Sequence, residues 1–423
     1  MKTPFDNIAS CLAGYDPEAL RVEVARDFIA RLLPRPSVQE AVGVRAALGR
    51  VLARDIVSRV KVPAHDNAAM DGYALRGTEL QAAAETRLRL AGASFAGGAP
   101  LDQALPPGHC QRIMTGALMP AGLDTVVPQE FVRVEGALIV IPPGACKPGA
   151  NRRLAGEDLA LGGVPLRAGR LLQPADLGLL TSLGLAEVPV WRRLRVALMS
   201  TGDELRTVGE PLPPGCVYDS NRTTMWAMLT RLGVEVIDLG VVRDDPLALR
   251  TALTQAATQA DAILTSGGVS VGEADHTKKV MAELGEVLFW KLAMRPGRPL
   301  AVGKIGSTML FGLPGNPVAV MVSFYAFVRE ALLAMSGVTP TPLPMLRAAS
   351  TRALRKTPGR TEYQRGIVSR AAGGGWQVEP AVNQGSGVLS SMSQANGLVV
   401  LGHDQGEVAA GDLVDVLPFD GLV

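Results

Sequence analysis

The run Thr265-Ser266-Gly267-Gly268-Val269-Ser270-Val271-Gly272 follows directly on a short apolar strand pattern and is the segment best suited to cradling an anion. Glycines there let backbone N–H groups close on phosphate oxygens, and a helix that follows adds the positive end of its dipole. The plain alternative is an ordinary tight turn; the coincidence of strand, hydroxyl-rich glycine turn and helix argues against it. Ser200-Thr201-Gly202-Asp203-Glu204-Leu205 follows another apolar strand and brings two carboxylates. Leu313-Pro314-Gly315-Asn316-Pro317-Val318 follows the run Met309–Phe311, and Pro314 and Pro317 stiffen it. Asp244 and Asp275 stand just beyond further strands. A lone loop carboxylate is ordinarily only solvated. Carboxylates gathered beside an anion cradle point instead to Mg²⁺ bridging phosphate oxygens, with Asp244, Asp275 and Glu204 as its candidate ligands. Lys291, Arg295 and Arg298 set three cations near the same edge, where an arginine offers a planar fork to an oxyanion and a lysine a point charge.

These loops need a scaffold that brings strand ends together. Over 192–337 the pattern alternates: strand Leu194–Met199, a helix capped by Asn221 and ending at Gly233, strand Val234–Leu239, a helix opening at Pro246, strand Asp261–Thr265, a helix near Asp275–Leu284, and a helix from the Gly315 turn to about Met335. Such alternation predicts a doubly wound, mainly parallel α/β sheet, and sheets of that kind bind ligands beyond the carboxyl ends of their strands. Residues 16–60 read as helical, with Asp16 and Pro17 at a start. Residues 61–154 are β-rich and turn-dense, and 155–190 are mixed, with Gln173-Pro174-Ala175-Asp176 opening a helix. The helical stretches on either side leave 61–154 as an insertion. Val338–Pro344 reads as a stiff linker, and the short strands of 339–423 predict a small β-barrel or sandwich. The expected partition is therefore 1–60 with 155–190, then 61–154, 191–338 and 339–423.

A chain of 423 residues exceeds the size at which one core keeps growing. A net charge of +2 gives no overall field for nucleic acid or an acidic membrane, so any anion site is local. Lysine supplies only 8 of the 42 basic residues, so arginine stands in many places open to either. Cys11, Cys110, Cys146 and Cys216 are scattered, which argues against a zinc site or disulfide framework and for a reducing compartment. The first residues lack the apolar core of a signal peptide, and no uninterrupted apolar run approaches the roughly 18 residues of a membrane span. A cytoplasmic protein is expected.

Two further segments, Asp-x-x-Ala-Met-Asp-Gly-Tyr-Ala (66–74) and Ile-Met-Thr-Gly-Ala (113–117), suit loops that meet a ligand without naming it. With Gly-Glu-Asp (156–158), Ser-Thr-Gly-Asp-Glu-Leu (200–205), Tyr-Asp-Ser-Asn (218–221), Thr-Ser-Gly-Gly-Val-Ser-Val-Gly (265–272), Gly-Leu-Pro-Gly-Asn-Pro-Val (312–318) and Ser391-Met392-x-x-Ala395-Asn396, the sequence resembles the MoeA and gephyrin E-domain family along its length. The resemblance implies an L-shaped homodimer of four-part chains: an elongated part, a β-rich insertion, a MogA-like sheet domain and a C-terminal barrel. It implies a reaction in which adenylated molybdopterin and molybdate give molybdenum cofactor and AMP with Mg²⁺, and a MogA-type adenylyltransferase as a possible partner. Proximity and electrostatic stabilisation can do most of that work without a protein nucleophile.

Family positions with functional roles fall on Asp71, Thr115, Asp158, Glu204, Asp244, Asp275, Lys291, Arg295, Pro314 and Pro317. Arg298, Arg365 and Ser391 match positions linked to molybdate, while Thr265, Ser266, Gly267, Gly268, Ser270 and Asn316 are expected to hold substrate. Arg295 and Arg298 stand where relatives usually carry lysine, and Ala68 replaces a common serine. Two other functions fit parts of the chain. A MogA-like adenylyltransferase would be shorter and would lack the Asp71 and Thr115 segments. A gephyrin-type scaffold would have no need of Glu204, Asp244, Asp275 and Lys291 together.

Overall fold

A parallel strand buried on both faces requires an unbroken apolar run, and Val196–Met199, Ala262–Leu264 and Met309–Leu313 supply three in the larger of two units, residues 1–40, 49–53 and 189–423. The computed structural model describes Asp16 and residues 19–99, 103–268 and 276–422. Pro17, Ser270 and Asp275 lie outside the described residues.

In chain order this unit carries α1 (Val22–Leu32), β1 (Arg195–Thr201), α2 (Ser220–Leu232), β2 (Glu235–Val242), α3 (Pro246–Gln259), β3 (Ala262–Ser266), α4 (His276–Leu284), β4 (Glu286–Lys291), β5 (Pro299–Ile305), β6 (Thr308–Leu313) and α5 (Pro317–Met335). The sheet order is β2-β1-β3-β6-β5-β4. The first four strands are parallel, whereas β5 is antiparallel to both β6 and β4. Two reversals return β4 to the sense of β1. The carboxyl ends of β1, β3, β6 and β4 therefore share one edge, and Lys291 ends there with Arg295 and Arg298 in the connection to β5.

Local chemistry explains the helix ends. Asp219 caps α2 by accepting from Arg222 N at 3.0 Å, and Gly233 closes it at φ 83°. The cap is thus Asp219 and not Asn221, whose amide is left to bond elsewhere. Asp245 caps α3 by accepting from Leu247 and Ala248, with Pro246 in the first turn. Residues 16–60 are less helical than expected: α1 and a 3₁₀ turn over Val44–Ala47 are their only helices among the described residues. Leu33 is extended at φ −65° and ψ 133°, as a residue before Pro34 must be, and Pro36 keeps the chain out of helix. The apolar face of α1 (Val22, Ala25, Phe28, Ile29, Leu32) packs into the core of the sheet, a placement that the expected grouping of 1–60 with 155–190 lacks.

Helix α5 contains a π turn over Phe324–Val328, where Arg26 Nε inserts a bond to the Ala326 carbonyl at 2.8 Å. Helix α5, although interrupted by Arg329 and Glu330, is long and apolar enough to cross a membrane, with 19 residues and mean hydropathy 1.7. Its 72% burial inside the fold identifies it as a core helix. Beyond it, β7 (Leu346–Ser350), β8 (Thr361–Arg370), β9 (Trp376–Pro380), β10 (Gly397–Leu401) and β11 (Leu413–Pro418) pair in the cycle β7-β9-β8-β10-β11 and back to β7, closing a five-stranded barrel.

The second unit comprises residues 41–48 and 54–188. Its six-stranded sheet runs in the order Thr125–Pro128, Gly72–Leu75, His109–Ile113, Thr86–Ser94, Leu138–Ile141 and Arg133–Glu135. The helix Pro174–Ser182 opens on a capping box between Gln173 and Asp176.

Candidate active site

The glycine turn after β3 is built for close approach. A Cβ on Gly267 (φ 86°) would stand 2.5 Å from the Thr201 carbonyl oxygen, and one on Gly268 (φ 65°) would stand 2.4 Å from Thr277 Oγ1. Only glycine lets this turn pack against the end of β1 and the start of α4. Gly267 N donates to Leu313 O at 3.2 Å, tying the turn to the end of β6. Thr265 and Ser266 are buried, and Thr265 Oγ1 has no hydrogen-bond partner among the described residues.

Asn221 joins the loops. Its Nδ2 donates to Ser266 Oγ at 3.1 Å and to Gly315 O at 2.6 Å. The turn Pro314-Gly315-Asn316-Pro317 is thereby fixed beside the glycine turn. Pro314 is buried and Pro317 opens α5. Asn316 does not cap α5 with its side chain; it donates to Ser386 Oγ at 3.1 Å.

The acidic side is partly described. Asp244 N donates to Asp203 Oδ1 at 3.4 Å, and Asp244 Oδ1 is buried without a partner among the described residues. Glu204 is exposed, its carboxylate folded back so that a Cβ on Gly202 would lie 2.6 Å from Oε2. No group of three or more metal-ligating side chains exists among the described residues. An orphaned carboxylate oxygen on Asp244 fits a cation, and Mg²⁺ is held by one or two carboxylates with water and phosphate supplying the rest.

Arg365 is the largest fully buried side chain among the described residues, at 0% exposure. Nε donates to Ser391 Oγ at 3.1 Å, and Nη2 donates to the carbonyls of Asn383 (3.1 Å) and Gly385 (3.0 Å). All three acceptors are neutral. Burial, then the nearby charge of Arg295, push the Arg365 guanidinium below its ordinary value. It forms one wall of a cavity of about 410 Å³ with Arg295, Arg352, Arg355 and Gln384. The single lining carboxylate, Glu362, already accepts from Arg360 and Gln364. Arg298 is exposed and does not line this cavity.

In the second unit, Asp71 Oδ1 accepts from both the backbone N and the Oγ1 of Thr115, each at 2.7 Å. These bonds, the backbone one foremost, hold the Asp71 carboxyl below its usual range. Asp158 is exposed, its N–H donating to Val62 O at 3.1 Å. Reading by residue type did not single out Arg352, Arg355, Gln384 or the bridging role of Asn221. Exposed arginines in an arginine-rich chain carry no spacing signal, and Asn221 stands where a cap is expected.

Known proteins match this chain along most of its length. Residues 20–184 match the MoeA N-terminal region (domain I and II), 197–334 a probable molybdopterin binding domain, and 347–419 the MoeA C-terminal region (domain IV). The chain belongs to the MoeA family. Among its relatives, a molybdopterin molybdenumtransferase of Haemophilus influenzae is 42% identical over 96% of this chain and 100% of that protein. A molybdopterin molybdenumtransferase 2 of Mycobacterium tuberculosis is 37% identical over 88% of this chain and 92% of its own. The crystal structure of a molybdopterin biosynthesis MoeA protein from Pyrococcus horikoshii superposes with TM-score 0.81 at 28% identity, covering 94% of this chain and 99% of that one. In this MoeA-family chain, Arg295 and Arg298 place cations in the connection between β4 and β5.

Proposed function

We propose that this protein is a molybdopterin molybdenumtransferase, inserting molybdate into adenylated molybdopterin with release of AMP. The observation that carries the reading is the buried Arg365 guanidinium, held by neutral acceptors alone beside three further arginines. A permanently charged group so placed lowers the energy of a small oxyanion more than that of a neutral ligand. The glycine turn at the end of β3 supplies the phosphate cradle, with Lys291, Arg295 and Arg298 at the same edge to neutralise the AMP leaving group. Pro314 and Pro317 hold the adjoining turn rigid, and Ser391 orients Arg365.

Mg²⁺, when bound, would neutralise phosphate charge; Asp244 and Glu204 are the described residues that would hold it, and Asp275 is proposed as a further ligand. Asp244→Asn is expected to raise the Mg²⁺ requirement, and an unchanged requirement counts against that ligand. The four-part organisation with 61–154 as an insertion, and a homodimer, belong to the same proposal. For the dimer, Asp71→Ala and Lys291→Ala chains unfolded and refolded together should recover about a quarter of wild-type activity if each chain completes its partner's reaction. Mixed dimers without activity would refute it.

The deciding assay follows AMP release from adenylated molybdopterin with and without molybdate. Release only with molybdate is expected. Pyrophosphate release from ATP and molybdopterin in its place, or no AMP release at all, would overturn the reading.

A further inference from the structure

We propose that the loop Asn383–Ser386 is a positioning device for the anion site, with Gln384 its deciding residue; this rests on the reading of the Arg365 cavity given above. The β8–β9 ladder pairs Gly366 with Pro380, and one step on Ala381 N donates to Arg365 O at 2.8 Å. The reciprocal bond, Arg365 N to Ala381 O, is absent. Gln384 stands in its place: Oε1 accepts from Arg365 N at 2.9 Å, while Nε2 donates to Ala381 O at 3.0 Å and to Arg365 O at 2.9 Å. The side-chain amide, inserted in place of one of the two ladder bonds, ends the strand pairing there, and the cavity lined by Arg365, Ala381, Val382 and Gln384 lies beside it. The same insertion fixes the backbone from which the guanidinium extends.

The neighbours of Gln384 complete the device. The carbonyls of Asn383 and Gly385 hold Nη2 of Arg365, and Gly385 N donates to Asn383 Oδ1 at 2.9 Å, keeping the turn that presents them. Ser386 faces the sheet: its Oγ accepts from Asn316 Nδ2, and its carbonyl accepts from Val318 N at 3.0 Å. Four consecutive residues thus hold the backbone of the buried cation, its head group, and the helix start beside the glycine turn. Gln384 touches the cation's main chain and acts on the anion only through it.

The test compares Gln384→Met, Gln384→Glu and Arg365→Gln in full-length protein, with molybdate as the probe. Loss of two or three neutral hydrogen bonds predicts a roughly tenfold rise in the KM for molybdate in Gln384→Met. The kcat at saturating molybdate and the KM for adenylated molybdopterin should stay near wild type. Calorimetric titration of molybdate should weaken in parallel. A purely structural role would lower kcat and raise both KM values together. If Gln384→Met does not fold, Gln384→Glu decides: it keeps the acceptor for Arg365 N, loses both donors, and should still bind molybdate more weakly. Wild-type molybdate KM in the folded variant, or a loss confined to kcat, overturns the proposal. Arg365→Gln separates the two levels. If it too leaves molybdate dependence untouched, the cavity is not the anion site and the functional reading falls with it. If Arg365→Gln loses molybdate dependence while the Gln384 variants keep it, only the positioning role is wrong.

Discussion

Asp71 illustrates how a single carboxylate is kept ionised without a cation in contact. The backbone N–H and then the hydroxyl of Thr115 stabilise its charged form, so its folded value lies below its unfolded one. The sign follows: this pair stabilises the fold above the ordinary carboxylate range and loses that contribution as pH falls through the depressed folded value. Thr115→Val removes the hydroxyl bond and keeps the backbone bond, so the Asp71 carboxyl should titrate higher than in the wild type yet below a free aspartate. Carbon-13 titration of the Asp71 carboxyl reads this directly, and an unmoved midpoint would rule out the hydroxyl as a cause. Both residues were legible in the sequence because they sit in ordered motifs. Arg352, Arg355 and Gln384 were not, because only barrel closure brings them together, setting β8 and the segments after β7 and β9 around one cavity. Asn221 stood out by type but in a different role. An asparagine there suits a cap, yet Asp219 is better placed to accept from Arg222.

At the scale of elements, β1 to β3, β6 and the helices between them were readable to within a residue or three, since parallel strands leave apolar runs, whereas the antiparallel β4 and β5 were not read. Two failures have physical causes. The stretch 33–43 looked helical by composition, but Pro34 and Pro36 impose extended backbone. Strand β9 went unread because Trp376-Gln377-Val378-Glu379-Pro380 is short, half polar and preceded by the turn-forming Gly373-Gly374-Gly375. The glycine turn offers the sharpest element-level prediction. Gly267→Ala places a Cβ in left-handed backbone and 2.5 Å from the Thr201 carbonyl, whereas Gly315 has no atom within 4 Å of its would-be Cβ and no left-handed φ. The left-handed strain alone costs about 1–2 kcal/mol, so Gly267→Ala should unfold at lower urea and lose AMP release. Gly315→Ala should keep wild-type stability. Equal stability of the two variants would mean that the turn is not packed as described.

For the larger unit as a whole, one buried cluster spans the sheet and the barrel, beside a separate cluster inside the barrel. Tyr363, Met392, Leu398, Leu417 and Leu422 from the C-terminal region belong to the same buried cluster as Val196, Leu264, Phe311 and the inner face of α5. The rings of Tyr325 and Phe419 stack with centroids 5.9 Å apart, and Arg329 donates to the Leu422 carbonyl from α5. Sequence division at the proline-rich stretch 338–344 suggests two separable bodies, yet burial crosses it. Each large side chain removed from this cluster forfeits about 1.5–3 kcal/mol of burial, and a domain has only about 5–15 kcal/mol in total. A barrel that melted first would strip the sheet of five such side chains. Leu398→Ala, in β10 and wholly buried, should therefore cost about 2–5 kcal/mol and speed hydrogen exchange at the β1 amides of Val196–Met199 as much as at the barrel amides of β8. Exchange that accelerates in β8 while β1 stays at its wild-type rate would show two independent cores, and the shared-core account would then be wrong.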